Sequence, residues 1–268
     1  MGRAFAFLLI LALSLPAGGW EVTVAFTNDL HASLERLAEI APLLAQADLV
    51  LDAGDAWEDL YRLTGLREAF TMAKRMGELG YDAMVLGNHE MYLGPALREV
   101  IAAAPFPVFA TNLKGGPAVQ KFLVFDVKGL RVLVLGFLWE EYPWSLWPGL
   151  RMLDPIQTAQ RVLAAEAPPH DLLIFLGHME IERAERIARA FPKCDLFVLG
   201  HDHLWLEEPV WVGNVPIVQA GHRAGAVGLV RITDQGLAYE LVRTGTTTPL
   251  PSFWLPALTA FASLFFLP

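Results

Sequence analysis

Cysteine is almost missing from this chain: Cys194 is the one thiol in 268 residues. No intramolecular disulfide can form, and a thiolate zinc cage is excluded, so any metal must be held by nitrogen and oxygen donors. Positive charge is also scarce. Twenty Lys and Arg stand against 29 Asp and Glu, a net charge of -9, which argues against a protein that holds duplex nucleic acid by neutralising its phosphates. A small substrate is the easier reading, and the sequence makes no protein partner evident. Internal repeats, low-complexity segments and long linkers are absent before residue 244, so one domain is expected. What the chain does have is apolar mass: 54% of residues are hydrophobic and 18% charged, enough for a substantial core without staples.

Both ends differ from the middle. Met1 to Arg3 carries one positive charge, Ala4 to Leu15 is apolar, and Pro16 to Gly19 offers small residues for a signal peptidase. Residues 1–19 therefore read as a secretory signal, with an uncleaved anchor as the alternative, and either reading exports the body to the periplasm or the extracellular space. Residues 244–268 end in an uncharged stretch, Pro249 to Pro268, about long enough to enter a bilayer but interrupted by four prolines. Membrane association through this tail, packing on the domain and removal in processing all remain open. The catalytic unit is expected over 20–243.

Within that unit, strand and helix alternate. Short β-rich runs occur at Val22 to Phe26, Leu49 to Asp52, Ala83 to Leu86, Val108 to Ala110, Leu172 to Leu176 and Leu196 to Leu199. Leu66, Phe70, Ala73 and Met76, and again Ile181, Ala184, Ile187, Ala188 and Phe191, recur at helical spacing. Lys121 to Phe125 and Arg131 to Leu135 predict a hairpin across Lys128-Gly129, and Val210 to Val242 is again strand-rich. This pattern implies an α/β fold with either one mixed sheet or a two-sheet sandwich.

Polar clusters follow five of those strands: Asn28-Asp29-Leu30-His31, Gly54-Asp55, Gly87-Asn88-His89-Glu90, Gly177-His178, and Gly200-His201-Asp202-His203. Carboxyl ends of parallel strands open onto a common crevice, so the clusters are expected to converge. Five of the seven histidines fall in them. Singly, each cluster is weak, because Asp and Asn favour turns and helix caps for backbone reasons. Gly-His-Asp-His is the most specific, since residues two apart on an extended segment point the same way. Together they suit two divalent ions roughly 4 Å apart, which can hold a hydroxide and grip substrate oxygens through an in-line displacement. Asp55 is the expected bridging carboxylate, with Asp29, His31 and His203 completing one site and Asn88, His178 and His201 the other. Such donors suit manganese, iron, zinc or cobalt without choosing among them.

In order and spacing these residues resemble the calcineurin-like metallophosphoesterase superfamily. Their flanks, Thr27 to His31, Gly80 to Glu90, Phe106 to Leu113 and Pro216 to Gly221, are similar to the catalytic domain of its 5'-nucleotidase branch. The resemblance covers about residues 21 to 243. It implies the metallophosphatase fold, a four-layer αββα sandwich of two mixed sheets flanked by helices, and the same ligand set. The activity it implies is metal-dependent hydrolysis of a small phosphate ester, mono- or diester. His89, counted with Asn88 among the catalytic residues, would stabilise the transferring phosphoryl group or protonate the leaving oxygen.

Two departures stand out. The branch carries an aspartate three residues after that histidine to hold the imidazole, whereas this chain has Tyr92. Glu90 is the nearest replacement in sequence, the alternative being a histidine without an anionic partner. The branch also has a C-terminal nucleoside-binding domain, so nucleotide specificity is not inherited. His222 and Arg223 could contact substrate or support the ligands, a surface turn being the plainer reading. His170 reads as a loop residue, and Trp139, Tyr142, Trp144 and Trp147 as aromatics packing over the domain, the alternative being exposed rings that stack on a substrate or touch a membrane or partner. The competing functional classes are a sulfur-ester hydrolase on the same scaffold and a non-enzymatic, metal-stabilised binding protein at the membrane.

Overall fold

The computed structural model describes residues 19–59, 65–139 and 147–245. Residues 1–18 and 246–268 lie outside the described residues, and with them nearly all of the expected signal and tail, as do Tyr142 and Trp144. No helix among the described residues is long and apolar enough to cross a membrane.

In chain order the strands are β1 (Glu21–Thr27), β2 (Leu49–Asp52), β3 (Ala83–Val85), β4 (Val108–Phe109), β5 (Leu113–Lys114), β6 (Phe122–Val127), β7 (Leu130–Leu138), β8 (Arg151–Met152), β9 (Leu172–His178), β10 (Leu196–Gly200), β11 (Val210–Val212), β12 (Val215–Val218), β13 (Ala226–Thr233) and β14 (Gly236–Arg243). The helices are α1 (Leu37–Leu44), α2 (Leu66–Glu78), α3 (Asn88–Tyr92), α4 (Leu97–Ala103), α5 (Pro155–Ala165) and α6 (Ile181–Ala190). One six-stranded sheet runs β14-β13-β1-β2-β3-β4, a second runs β11-β12-β10-β9-β7-β6, and β5 pairs β8 in a small ribbon. Both large sheets are mixed: β1 to β4 are mutually parallel, as are β7, β9, β10 and β12, with antiparallel strands at the flanks.

The continuous apolar runs have a simple cause, for a strand buried on both faces has no polar side to show. Val22, Val24 and Phe26 of β1, with Leu49 and Leu51 of β2, meet Ile174, Leu176, Leu196 and Val198 between the sheets. The alternate residues Ala25 and Val50 turn outward to Ile40, Met72 and Met76 of the covering helices. On the far side Leu173, Phe175, Phe197 and Leu199 face Val162, Ala184 and Ile187 of α5 and α6. These three apolar layers make the αββα sandwich expected above. Helix α2 is rotated slightly from its sequence reading: Ala69, Met72, Ala73 and Met76 are buried, whereas Leu66 at its first position is exposed.

The predicted hairpin forms, with β6 and β7 joined through Lys128 and Gly129, both at positive φ. Cys194 sits before β10, buried beneath the carbonyls of Leu173 and Leu196 and so at the strand end remote from the polar clusters. Trp147 is buried, its indole N–H donating to the Met91 carbonyl at 3.0 Å, and Trp139 lies under the Arg183 guanidinium at 3.8 Å. Packing, the plainer reading, describes both.

Candidate metal centre

Five polar clusters do leave five parallel strands, but from two sheets: β1, β2 and β3 belong to one, β9 and β10 to the other. Their shared edge forms the crevice. The backbone there is contorted. Nine non-glycine residues among those described have positive φ; Lys128 lies in the hairpin, and the other eight are Asp29, His31, Ala32, Asp55, His201, His203, Arg223 and Ala224. Left-handed backbone is unfavourable for residues with a Cβ, and its concentration at one edge marks a place where side-chain placement outweighs backbone comfort. His201 and His203 therefore do not lie on an extended segment, and the two imidazoles diverge to opposite halves of the site.

In one half, His203 Nε2 is 3.3 Å from Asp29 Oδ1, His31 Nε2 is 3.9 Å from the same oxygen, and the two imidazole nitrogens are 3.1 Å apart. In the other, His178 Nε2 lies 3.0 Å from Asp55 Oδ2 and 2.9 Å from Asn88 Oδ1, and His201 Nδ1 lies 3.1 Å from that same Asn88 oxygen. Asp55 also stands between the halves, with His89 Nε2 3.9 Å away. Three clusters have ligand atoms within 4.8 Å of one another: Asp29, His31 and His203; His31, Asp55 and His89; Asp55, His178 and His201. Every residue expected as a ligand is thus gathered at one edge.

The surroundings aim these groups. His178 Nδ1 donates to the Ala53 carbonyl at 2.8 Å and His31 Nδ1 to the Glu58 carbonyl at 3.2 Å, so each ring turns its Nε2 to the site. Asn28 donates to Asp29 Oδ2 and to the Gly221 carbonyl, both at 2.6 Å, and accepts from the Ala220 amide at 2.8 Å. One amide thereby orients the Asp29 carboxylate and ties the end of β1 to the segment after β12. Gly87 is required by proximity, since a Cβ there would strike the Asp55 carboxylate and backbone.

Burial and mutual charge set the protonation. Burial opposes ionisation of Asp55, but the facing His178 wins and holds the carboxyl well below the usual range. Burial alone would depress His178, yet the charge and hydrogen bond of Asp55 raise it to about 10. Asp29 is likewise lowered, burial being outweighed by the His203 hydrogen bond. Burial lowers His31, and burial with the His178 charge lowers His201, keeping both imidazoles neutral. For His89, burial is outweighed by the Glu58 hydrogen bond and the Asp55 charge, and its pKa rises.

Glu90 does not support His89. Its carboxylate accepts from the amides of Asp55, Ala56, Trp57 and Gly87 at 2.8 to 2.9 Å, clamping the loop after β2 to the start of α3. Burial and the Asp55 charge push its pKa up to about 7. Glu58 occupies the place expected of an anionic partner, with Oε2 2.8 Å from His89 Nδ1. Neither Glu58 nor its neighbour Asp59 stands out in the sequence. The available signal is two acids three and four residues after Asp55, which by itself reads as a solvated turn. Tyr92 packs edge-on to His89, ring centroids 5.3 Å apart.

His222 and Arg223 are not a plain surface turn. With His31, Asp59, His89 and His203 they line a pocket of about 160 Å³. The His222 ring lies 4.8 Å from that of His203, and its buried Nδ1 has no hydrogen-bond partner among the described residues. Arg223 donates to buried Asp59 at 2.6 Å, and its amide donates to the Asp29 carbonyl at 2.7 Å. His170 is a loop residue, bonded through Nδ1 to the Pro168 carbonyl.

The donor set fits divalent metal. Imidazole nitrogens, two buried carboxylates and an amide oxygen converge without any thiolate, the combination that first-row ions accept.

The comparisons with known proteins agree. A 5'-nucleotidase from Mus musculus is 30% identical over 281 residues, an alignment covering 88% of this chain and 47% of the relative. The chain spans about half the length of the 5'-nucleotidases it matches. A 5'-nucleotidase precursor from Thermus thermophilus superposes with a TM-score of 0.67 at 23% identity, covering 91% of this chain and 59% of that one. The sulfate thiohydrolase SoxB from the same organism gives 0.69 at 18% identity over 92% and 62%. At such identities these two likenesses speak to the fold alone, the metallophosphatase sandwich. A family model described as calcineurin-like phosphoesterase matches residues 22–204, and the chain belongs to that family, in its 5'-nucleotidase branch.

Proposed function

We propose that this protein is an exported dinuclear-metal hydrolase of small phosphate esters. The observation that carries the reading is the gathering of seven side chains with nitrogen or oxygen donors, Asp55 and six others, from five strand ends at one edge. One ion would be held by Asp29, His31 and His203, the other by Asn88, His178 and His201, and Asp55 would serve both. Bound as a pair, divalent ions supply Lewis acidity and generate a nucleophile from water at neutral pH.

The protein's own groups do the rest. Asn28 and the left-handed backbone hold the carboxylates in place before substrate arrives, so little reorganisation is left for the reaction. His89, raised above the ordinary imidazole value, carries a proton at Nε2 on the pocket side, placed to meet an oxygen of the phosphoryl group or of the departing alcohol. Arg223, oriented by Asp59, offers a planar guanidinium to the remaining phosphoryl oxygens, and the unpartnered His222 Nδ1 offers a further contact. A pocket of about 160 Å³ admits a phosphoryl group but not a nucleoside, so the leaving group extends outward. Export rests on the apolar N-terminal segment.

The test is purified protein stripped with chelator, resupplied with manganese, and assayed on generic phosphate mono- and diesters and then on a nucleotide panel. Metal-restored phosphate release supports the reading. Stoichiometric metal uptake with no ester cleaved would leave a binding protein, and cleavage of thiosulfate or sulfate esters alone would select the sulfur-ester alternative. Export is checked by fractionating producing cells, and protein confined to the cytosolic fraction contradicts it.

A further inference from the structure

Glu58 is almost fully enclosed, 2% exposed, on the loop leaving β2. Its Oε2 accepts from His89 Nδ1 at 2.8 Å, while its backbone carbonyl accepts from His31 Nδ1 at 3.2 Å. One residue therefore fixes two imidazoles, through side chain and main chain respectively. The second carboxylate oxygen, Oε1, is buried with no hydrogen-bond partner among the described residues. Burying a carboxylate with one oxygen unpaired is costly, and packing alone gives no reason to keep it there. Across the His89 ring stands Tyr92, one helical turn further along α3, where its ring rather than a carboxylate meets the imidazole.

We propose that Glu58 is the positioning residue for His89, its carboxylate holding Nδ1–H so that Nε2 delivers a proton to the departing oxygen. The carboxylate thus reaches the histidine from the β2 loop instead of from its own helix. The inference rests on the hydrolase reading above. In the step it supports, a water oxygen forms its bond to phosphorus and gives up one proton to solvent, the bond from phosphorus to the ester oxygen breaks, and the His89 Nε2 proton goes to that ester oxygen. The released alcohol is then neutral and His89 is left as neutral imidazole. Glu58 keeps its hydrogen bond to Nδ1 throughout and so stabilises the protonated ring.

The experiment compares wild type, Glu58→Gln, His89→Ala, the Glu58→Gln/His89→Ala pair and Glu58→Gln/Tyr92→Asp. Each is loaded with manganese and assayed on an alkyl phosphate and on 4-nitrophenyl phosphate, with bound metal measured alongside. Wild-type turnover is established first, so that an inactive wild type refutes the hydrolase reading and not the role of Glu58. Losing a residue that orients an active-site imidazole should lower kcat on the alkyl ester about 10- to 100-fold. KM and metal content should hold, and 4-nitrophenyl phosphate, whose leaving group needs little protonation, should suffer much less. The double variant lacking both side chains should be no slower than His89→Ala, and Tyr92→Asp should restore much of the loss. Equal losses on both esters, loss of metal, or unchanged kcat on the alkyl ester would each overturn the proposal. Should Glu58→Gln fail to fold, Glu58→Asp, which keeps the charge but draws it back by one methylene, must show the same leaving-group dependence or the idea fails.

Discussion

Replacing Asn28 by alanine should both loosen the fold and weaken metal binding, because its side-chain amide is 2% exposed and makes three hydrogen bonds across 192 or 193 residues of sequence or to a ligand. The bond to Asp29 is made to a charged group, a class worth about 1.5–3 kcal/mol, and the two to backbone are worth about 0.5–1.5 kcal/mol each. The sum is roughly 2.5–6 kcal/mol, and since the three share one side chain they do not add fully, which puts the expected loss near 3–4 kcal/mol. At about 2–4 °C per kcal/mol for a chain of this size, Tm should fall by roughly 6–16 °C. Urea unfolding in chelator isolates the fold from metal linkage, and titration with manganese then reads the second effect. Affinity should drop about 10- to 100-fold, as it does when the partner that orients a ligand is removed. Asn28→Asp is a nearly isosteric control: it keeps the acceptor for Ala220 but sets an anion against Asp29 and the Gly221 carbonyl, and should do at least as much harm. A change below about 1 kcal/mol with manganese affinity within twofold would refute the claim that this amide knits the two sheets together at the site.

Four further outcomes follow from the same geometry. Metal binding at pH 8 should release about one proton from His178, whose pKa near 10 must be surrendered for coordination, and His178→Asn should abolish that release in a weakly buffered titration. Gly87→Ala should cost metal affinity because the new Cβ meets Asp55, while Gly65→Ala, with its nearest neighbour 3.8 Å from the added atom, should not; elemental analysis after dialysis separates them. Asp48 is held below its ordinary value of 3.8: burial opposes this, but Lys128 and Thr23 prevail. A depressed carboxylate contributes stability that is complete above its unfolded pKa and lost as pH falls below it, so Asp48→Asn should flatten the loss of stability below about pH 4 in acid titrations followed by circular dichroism. Cys194, buried and with its thiol pKa pushed up by desolvation, should resist thiol reagents in the native protein and react only on unfolding, and rapid native labelling would contradict its placement.

Much of this protein was readable from its chain because the governing signals are local. A strand buried on both faces, such as Leu172 to Leu176, must be apolar throughout. A helix against a sheet must repeat its contacts as Ala184, Ile187 and Ala188 do, and a strand that delivers a ligand must end in a polar cluster. The candidate donors were legible for the same reason, each standing within a few residues of its strand end. What the sequence did not reveal are the pairings that cross it. Glu58 reaches His89 over 31 positions and Asn28 reaches Gly221 over 193, Glu90 is spent on backbone amides instead of on the neighbouring histidine, and Arg223 meets Asp59 over 164. None of these distances is encoded by a period or a motif, because a hydrogen bond depends on where two backbones arrive after the strands have paired and the sheets have stacked. Sequence by itself determined which residues carry donors suited to metal; only the tertiary structure, by strand pairing within a sheet for Glu58 and His89 and by the stacking of the two sheets for Asp55 and His178, decided which carboxylate each imidazole faces.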